Sequence, residues 1–257
     1  FRLDAVAFIW KEPGTSCVHL RQTHELIKLI RLILENLEPE TVIITETNVP
    51  NRENLSYFGN ENEAHLIYNF SLPPLILHAL LNGTARELNR WQMAMPPAQM
   101  GCAYLNFTAS HDGIGMRPVE GLLSQEETEA IVDAVREFGG LVSMRSMPDG
   151  SQKPYELNIT WFDAMKGTVE GEDAWQLERF LCSQTVVMAL EGLPAFYIHA
   201  LLGTKNDREG VAKTGINRAI NRHRWDYDDL REKLADSEST QARVLAAMKE
   251  RIGIRVK

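Results

Sequence analysis

Short apolar, often β-branched runs alternate with amphipathic helical stretches along most of this chain. Phe1–Ile9 reads as a strand, and the stretch from Cys17 to Leu37 places Leu26, Ile27, Ile30, Leu34 and Leu37 at the helical period. Thr41–Thr45 is a β-branched second strand. Leu66–Phe70 is a third, stopped by Pro73-Pro74, and Leu75–Leu81 is a helix closed by Asn82-Gly83. Cys102–Phe107 reads as a fourth strand, Trp175–Leu190 as a long apolar helix and Pro194–Ile198 as a fifth strand. Strands separated by helices at roughly 25–45 residues require parallel pairing through right-handed crossovers. An open doubly wound sheet and part of a (β/α)8 barrel both satisfy that rule. No G-x-G-x-x-G follows any strand, which disfavours a dinucleotide-binding sheet.

One block breaks the rhythm. Between Gly113 and Asp163, Ser124-x-x-Glu127 has the capping-box spacing of a helix that runs to about Phe138. Leu141–Ser146 and Tyr155–Phe162 follow as strands, with the turn pair Asp149-Gly150 between them. The expected organisation is therefore a barrel segment over 1–112, a small inserted α+β domain over 113–163, and a closing strand with a polar helical tail over 164–257. The chain opens on an apolar run and stops without a helix terminator, so it reads as part of a longer polypeptide.

Charge narrows the function. There are 35 acidic and 27 basic residues, a net charge of −8, which disfavours a nucleic-acid partner. No run approaches the ~18 apolar residues of a membrane span. The three cysteines lie far apart, so free thiols in a reducing, cytoplasmic setting are expected. The seven histidines show no metal-ligand spacing, so no metal is expected, and there is no G-x-S-x-G nucleophile elbow.

Ionisable residues collect where strands end. Asp4 lies within the first run, Glu46 directly follows Thr45, and His111-Asp112 follows Phe107. The C-terminal ends of parallel barrel strands converge on one face. Three carboxylates there suit acid–base work on a glycosidic bond, with one as nucleophile, one as protonated donor and one steadying the developing positive charge. Each carboxylate taken alone is equally well a solvated charge at a strand end.

The wording of these segments resembles the α-amylase superfamily of glycoside hydrolases. Phe1-Arg-Leu-Asp-Ala5 resembles its nucleophile segment, Ile44-Thr-Glu-Thr47 its acid/base segment and Phe107-Thr-Ala-Ser-His-Asp112 its third catalytic segment, in the family's order. Phe8–Cys17, Ser110-His-Asp-Gly-Ile-Gly115, Leu201–Asp207 and Ile220-Asn-Arg-His223 resemble the branch of sucrose, sucrose 6-phosphate, glucosylglycerol and glucosylglycerate phosphorylases.

The resemblance implies an α/β fold, the C-terminal part of a (β/α)8 barrel from its fourth strand onward, with a small inserted domain. It implies a retaining α-glucoside phosphorylase that moves glucose from a small glucoside to phosphate, giving α-glucose 1-phosphate. A hydrolase or transglycosylase on the same scaffold, or an inactive half-barrel, is the alternative. Carried over by position, Asp4 is the nucleophile, Glu46 the general acid/base and Asp112 the transition-state stabiliser. Arg2 would keep Asp4 ionised, and His111 and Arg222 would bind the sugar. Tyr155 and Glu156 would face the acceptor. The expected partners are a small sugar and inorganic phosphate as co-substrate. No cofactor, nucleic acid or membrane is expected, while a homodimer or a separate N-terminal half would complete the barrel. Glu156 stands where sucrose phosphorylases carry Gln, which points away from sucrose and towards glycerol or glycerate. Arg145 and Lys153, beside the hairpin, are the candidate cations for an anionic acceptor.

Overall fold

The computed structural model describes residues 1–147 and 149–256. Five parallel strands form the central sheet: β1 (Arg2–Leu3), β2 (Ile44–Thr45), β3 (Leu66–Tyr68), β4 (Ala103–Asn106) and, after an excursion, β10 (Leu193–Pro194). Their order in the sheet is their order in the chain, with Arg2 opposite Ile44, Ile44 opposite Leu66, Leu66 opposite Ala103 and Leu105 opposite Leu193. Between strands run α1 (Arg21–Leu37), the short α2 (Asn51–Leu55), α3 (Leu72–Asn82) and α4 (Arg86–Ala94). Sequential parallel neighbours joined by helical crossovers are the winding of a (β/α)8 barrel, and this chain forms part of one.

The excursion follows β4. It comprises β5 (Ile114–Gly115), α5 (Gln125–Glu137), β6 (Leu141–Ser146) and β7 (Gln152–Asn158), with the antiparallel sheet order β5-β7-β6. A ribbon of β8 (Gly167–Thr168) and β9 (Gly171–Glu172) leads to α6 (Gln176–Ala189). Beyond β10 lie α7 (Ile198–Leu201), α8 (Arg208–Thr214), a 3-10 turn over Asn217–Asn221, α9 (Tyr227–Ala235) and α10 (Thr240–Arg255). The excursion shares its core with the barrel helices. Leu75, Ile76, Ile131, Val135, Leu157, Phe180, Val187, Val244 and Met248 belong to one buried cluster spanning α3, α5, β7, α6 and α10.

Several expected boundaries move, each for a local reason. The first strand ends at Leu3 rather than Ile9. The Glu46 N–H still bonds Leu3 O at 2.9 Å, but Ala5 turns left-handed at φ 45° and Val6–Phe8 coils as a 3-10 helix. The fifth strand stops at Pro194 instead of Ile198: Ala195 N–H makes the last ladder bond, to Asn106 O, and the chain then enters α7. Pro73-Pro74 do not precede the third helix but sit in its first turn, where the missing N–H groups have no intrahelical role. Helix α5 carries the expected capping box, with Ser124 Oγ accepting from Glu127 N–H and Glu127 Oε2 from Ser124 N–H.

The second hairpin strand begins at Gln152, three residues before the expected Tyr155. Its pairing with β6 slips between Ser143 and Met144, so that Ser143 faces Glu156 while Met144 faces Pro154. Tyr155 is the extra residue of a β-bulge, beside a proline that cannot donate to the ladder. Strict alternation would send Tyr155 and Glu156 to opposite faces. The bulge lets both line the same cleft.

Candidate active site

Asp4, Glu46 and Asp112 all line one cleft of about 190 Å3 at the C-terminal ends of the strands. Asp4 directly follows β1, Glu46 directly follows β2, and Asp112 reaches the cleft on the loop after β4. Phe70 lines the same cleft and stacks on Tyr68 at 5.3 Å, while both rings meet Phe107 edge-on.

The three carboxyls differ in their surroundings. Asp4 is 71% exposed and accepts from Arg2 Nη1 at 2.7 Å. Arg2 is held in turn by Tyr68, its Nε donating to the phenol oxygen at 3.1 Å. Glu46 sits deeper. Burial pushes its pKa up, the Ala5 N–H (2.9 Å to Oε2) and Arg2 oppose the shift, and the charges of Asp4 and Asp112 reinforce it. The left-handed turn at Ala5 that ends β1 is therefore also the turn that aims an N–H at Glu46. Asp112 Oδ1 accepts from Arg218 Nη1 at 2.9 Å and Arg222 Nη2 at 3.1 Å. Asn221 Nδ2 bridges the Ser110 and Asp112 carbonyls and holds the loop.

The remaining expected residues divide. Tyr155 and Glu156 line the cleft. Arg222 reaches the site through Asp112 and through the His111 carbonyl, which its Nε contacts at 2.8 Å. The His111 side chain is 54% exposed, with Nε2 3.6 Å from Asp112 Oδ1, and is not among the lining residues.

Glu156 is not an open anion. It is 3% exposed and forked by Arg218, with Nε to Oε1 at 3.0 Å and Nη2 to Oε2 at 2.6 Å. Neither hairpin cation expected near an anionic acceptor lines this cleft. Arg145 is taken up by Glu120, and Lys153 is exposed on the strand opposite Arg145. The cation that serves Glu156 is Arg218, 62 residues further along the chain. Its spacing from Arg222, one turn apart, was the available signal. Arg117 and Asn48 also line the cleft, and no periodicity or motif spacing marks either.

No family model matches the chain. It is 44% identical over 255 residues to the glucosylglycerate phosphorylase of Escherichia coli (strain K12), covering 99% of this chain and 45% of that protein. It is 45% identical over 256 residues to the glucosylglycerate phosphorylase of Spirochaeta thermophila, covering 100% of this chain and 43% of that protein. The structure superposes on the crystal structure of sucrose 6F-phosphate phosphorylase from Thermoanaerobacter thermosaccharolyticum with a TM-score of 0.81 at 23% identity, covering 99% of this chain and 48% of that one. The parallel barrel winding, with carboxylates at its strand ends, is the fold this chain shares with that structure. Over nearly its whole length the chain is homologous to glucosylglycerate phosphorylases and, more distantly, to sucrose phosphorylases. It spans just under half the length of the curated relatives it matches.

Proposed function

We propose that this chain carries the catalytic carboxylates of a retaining α-glucoside phosphorylase, with glucosylglycerate as its glucoside and inorganic phosphate as co-substrate. The observation that carries the reading is the contrast between two neighbouring carboxyls. Glu46 is half-buried with its pKa raised, while Asp4 lies open to the cleft beside Arg2. Separated environments of this kind assign acid and nucleophile. Asp4 attacks the anomeric carbon as the bond to the leaving oxygen breaks, and Glu46 gives that oxygen its proton. A phosphate oxygen then attacks the glucosyl–Asp4 ester, Glu46 takes up the proton phosphate releases, and α-glucose 1-phosphate departs.

Asp112, locked by Arg218 and Arg222, faces the positive charge that develops on the sugar. Arg2 positions Asp4, and Arg222 positions Asp112 and His111, which touches sugar hydroxyls at the rim. Tyr155, projected by the bulge, lies on the acceptor side. The relatives' glucosylglycerate supports the choice of glucoside. No cofactor enters the chemistry. No described helix is long and apolar enough to cross a membrane, and the three cysteines are free, which fits a cytoplasmic setting.

The test is glucose 1-phosphate formation by the full-length protein from glucosylglycerate with and without phosphate. Phosphate-dependent product is expected, and free glucose at an equal rate without phosphate would assign a hydrolase instead. Asp4→Asn in the same protein should lower kcat by about a thousandfold or more, because the covalent step needs the carboxylate. Retention of more than about a tenth of the rate would remove Asp4 from that role.

A further inference from the structure

The charges lining the cleft are matched with one exception. Arg2 answers Asp4, the Ala5 N–H answers Glu46, and Arg218 answers both Asp112 and Glu156. Arg117 lines the cleft and its side chain has no hydrogen bond or ion pair among the described residues. Its Nε is buried without a partner. A guanidinium carries five donors and cannot shed its proton, so leaving it unanswered inside a protein wall is costly unless a ligand supplies the acceptor.

A second orphan lies in the same wall. Asn48 lines the cleft two residues after Glu46, and its Oδ1 is buried without a partner among the described residues. Asn48 packs against Gly115 of β5, two residues before Arg117. A Cβ at Gly115 would lie 2.4 Å from Asn48 Nδ2, so the Asn48 amide lies directly against the bare backbone of β5. The wall thus offers one cationic donor group and one neutral acceptor, beside the proton donor Glu46. A ligand that satisfies both carries an anionic oxygen pair and a hydroxyl.

We propose that Arg117, with Asn48 beside it, is the specificity-determining site for the acceptor's carboxylate: Arg117 binds the carboxylate of a small hydroxy acid such as glycerate, and Asn48 Oδ1 accepts from its hydroxyl. The proposal rests on the phosphorylase reading and adds the residue that selects an acidic acceptor over a neutral polyol. Glu156 does not repel that carboxylate, because Arg218 already neutralises it through a two-point fork.

The experiment uses the full-length protein in the synthetic direction, with glucose 1-phosphate as donor and glycerate or glycerol as acceptor, and the phosphate KM measured in phosphorolysis. A wild-type protein that neither makes nor uses glucose 1-phosphate defeats the phosphorylase reading itself. Given an active wild type, Arg117→Gln should raise the glycerate KM by about ten- to a hundredfold, the loss expected for a hydrogen bond to a charged group. Its kcat and KM with glycerol should stay within about twofold. A rise in both the glycerate and phosphate KM supports the site, the two anions occupying it in turn. A rise for phosphate alone, or an unchanged glycerate KM, overturns the proposal. Where Arg117→Gln loses glycerol activity too, Arg117→Lys decides: it keeps the charge, and recovery of the preference for glycerate over glycerol supports the assignment. Equal loss on both acceptors in the Lys variant marks a structural role and overturns it.

Discussion

Glu46 shows how one side chain couples folding to chemistry. Its pKa is raised in the folded chain chiefly by burial, so the folded state holds the proton more tightly than the unfolded chain does. The stabilisation this gives is complete below the ordinary glutamate range and is lost as pH rises through the raised value. Glu46→Gln cannot ionise and escapes that loss. Its melting temperature relative to wild type should therefore climb between about pH 4 and pH 8, measured on the full-length protein. A difference that stays flat or shrinks over that range contradicts the assignment. The buried Glu156 depends on a single partner in a different way. Arg218→Met leaves its carboxylate unpaired at 3% exposure and should cost about 3 kcal/mol by urea denaturation, the low end for such pairs because Arg218 is half-open to solvent. Adding Glu156→Gln should recover most of that loss. No recovery in the double variant would show that Arg218 stabilises through Asp112 instead.

Among the elements, β7, which lines the cleft, and α5, which packs behind it, form by opposite kinds of signal. Helix α5 starts where a reciprocal cap satisfies its first N–H groups, and its apolar side packs Ile131 and Val135 into the shared core. Ser124→Ala should lower stability by about 1 kcal/mol, read as a shift in the denaturation midpoint with no change in slope. Because the hydroxyl lies outside the cleft, kcat should not move. The strand β7 is bent by its bulge, and the bulge turns a two-residue alternation into a pair of residues facing one cleft. The short barrel strands have a similar logic. Each ends where its ladder runs out, and the residue just beyond it, Asp4 or Glu46, is freed to face the site.

At the scale of the whole molecule, the sheet has two edges. Among the described residues β1 pairs only with β2, and β10 only with β4. Helix α1 buries Thr23 and Ile27 but leaves Leu29, Leu32, Ile33 and Leu37 exposed. An open parallel edge beside an exposed apolar helix face templates association. The 257-residue chain produced by itself should therefore self-associate, with size-exclusion chromatography and light scattering giving masses above the 29.1 kDa monomer. A single monomeric peak at about 10 µM, with one sharp two-state melt, would run against this account.

The local grammar of the chain is legible in its residue pattern. The alternation of β-branched runs and helical periods specified parallel strands, because pairing and packing of such runs admit few other arrangements. The capping box placed the start of α5 because its two bonds join residues three apart. Asp4, Glu46 and Asp112 were legible because a parallel sheet brings its strand ends to one face whatever the intervening loops do. Tertiary structure decided what lies across the cleft from them. Arg218 reaches Glu156 from 62 residues away, and Arg117 and Asn48 come to one cleft from separate loops, Asn48 packed against Gly115. The first strand stops at Leu3, and Ala5 turns its N–H to a residue 41 positions later. None of these follows a period of 2 or 3.6, since a side chain's partner across a cleft is set by the packing of whole elements and not by its neighbours in the chain.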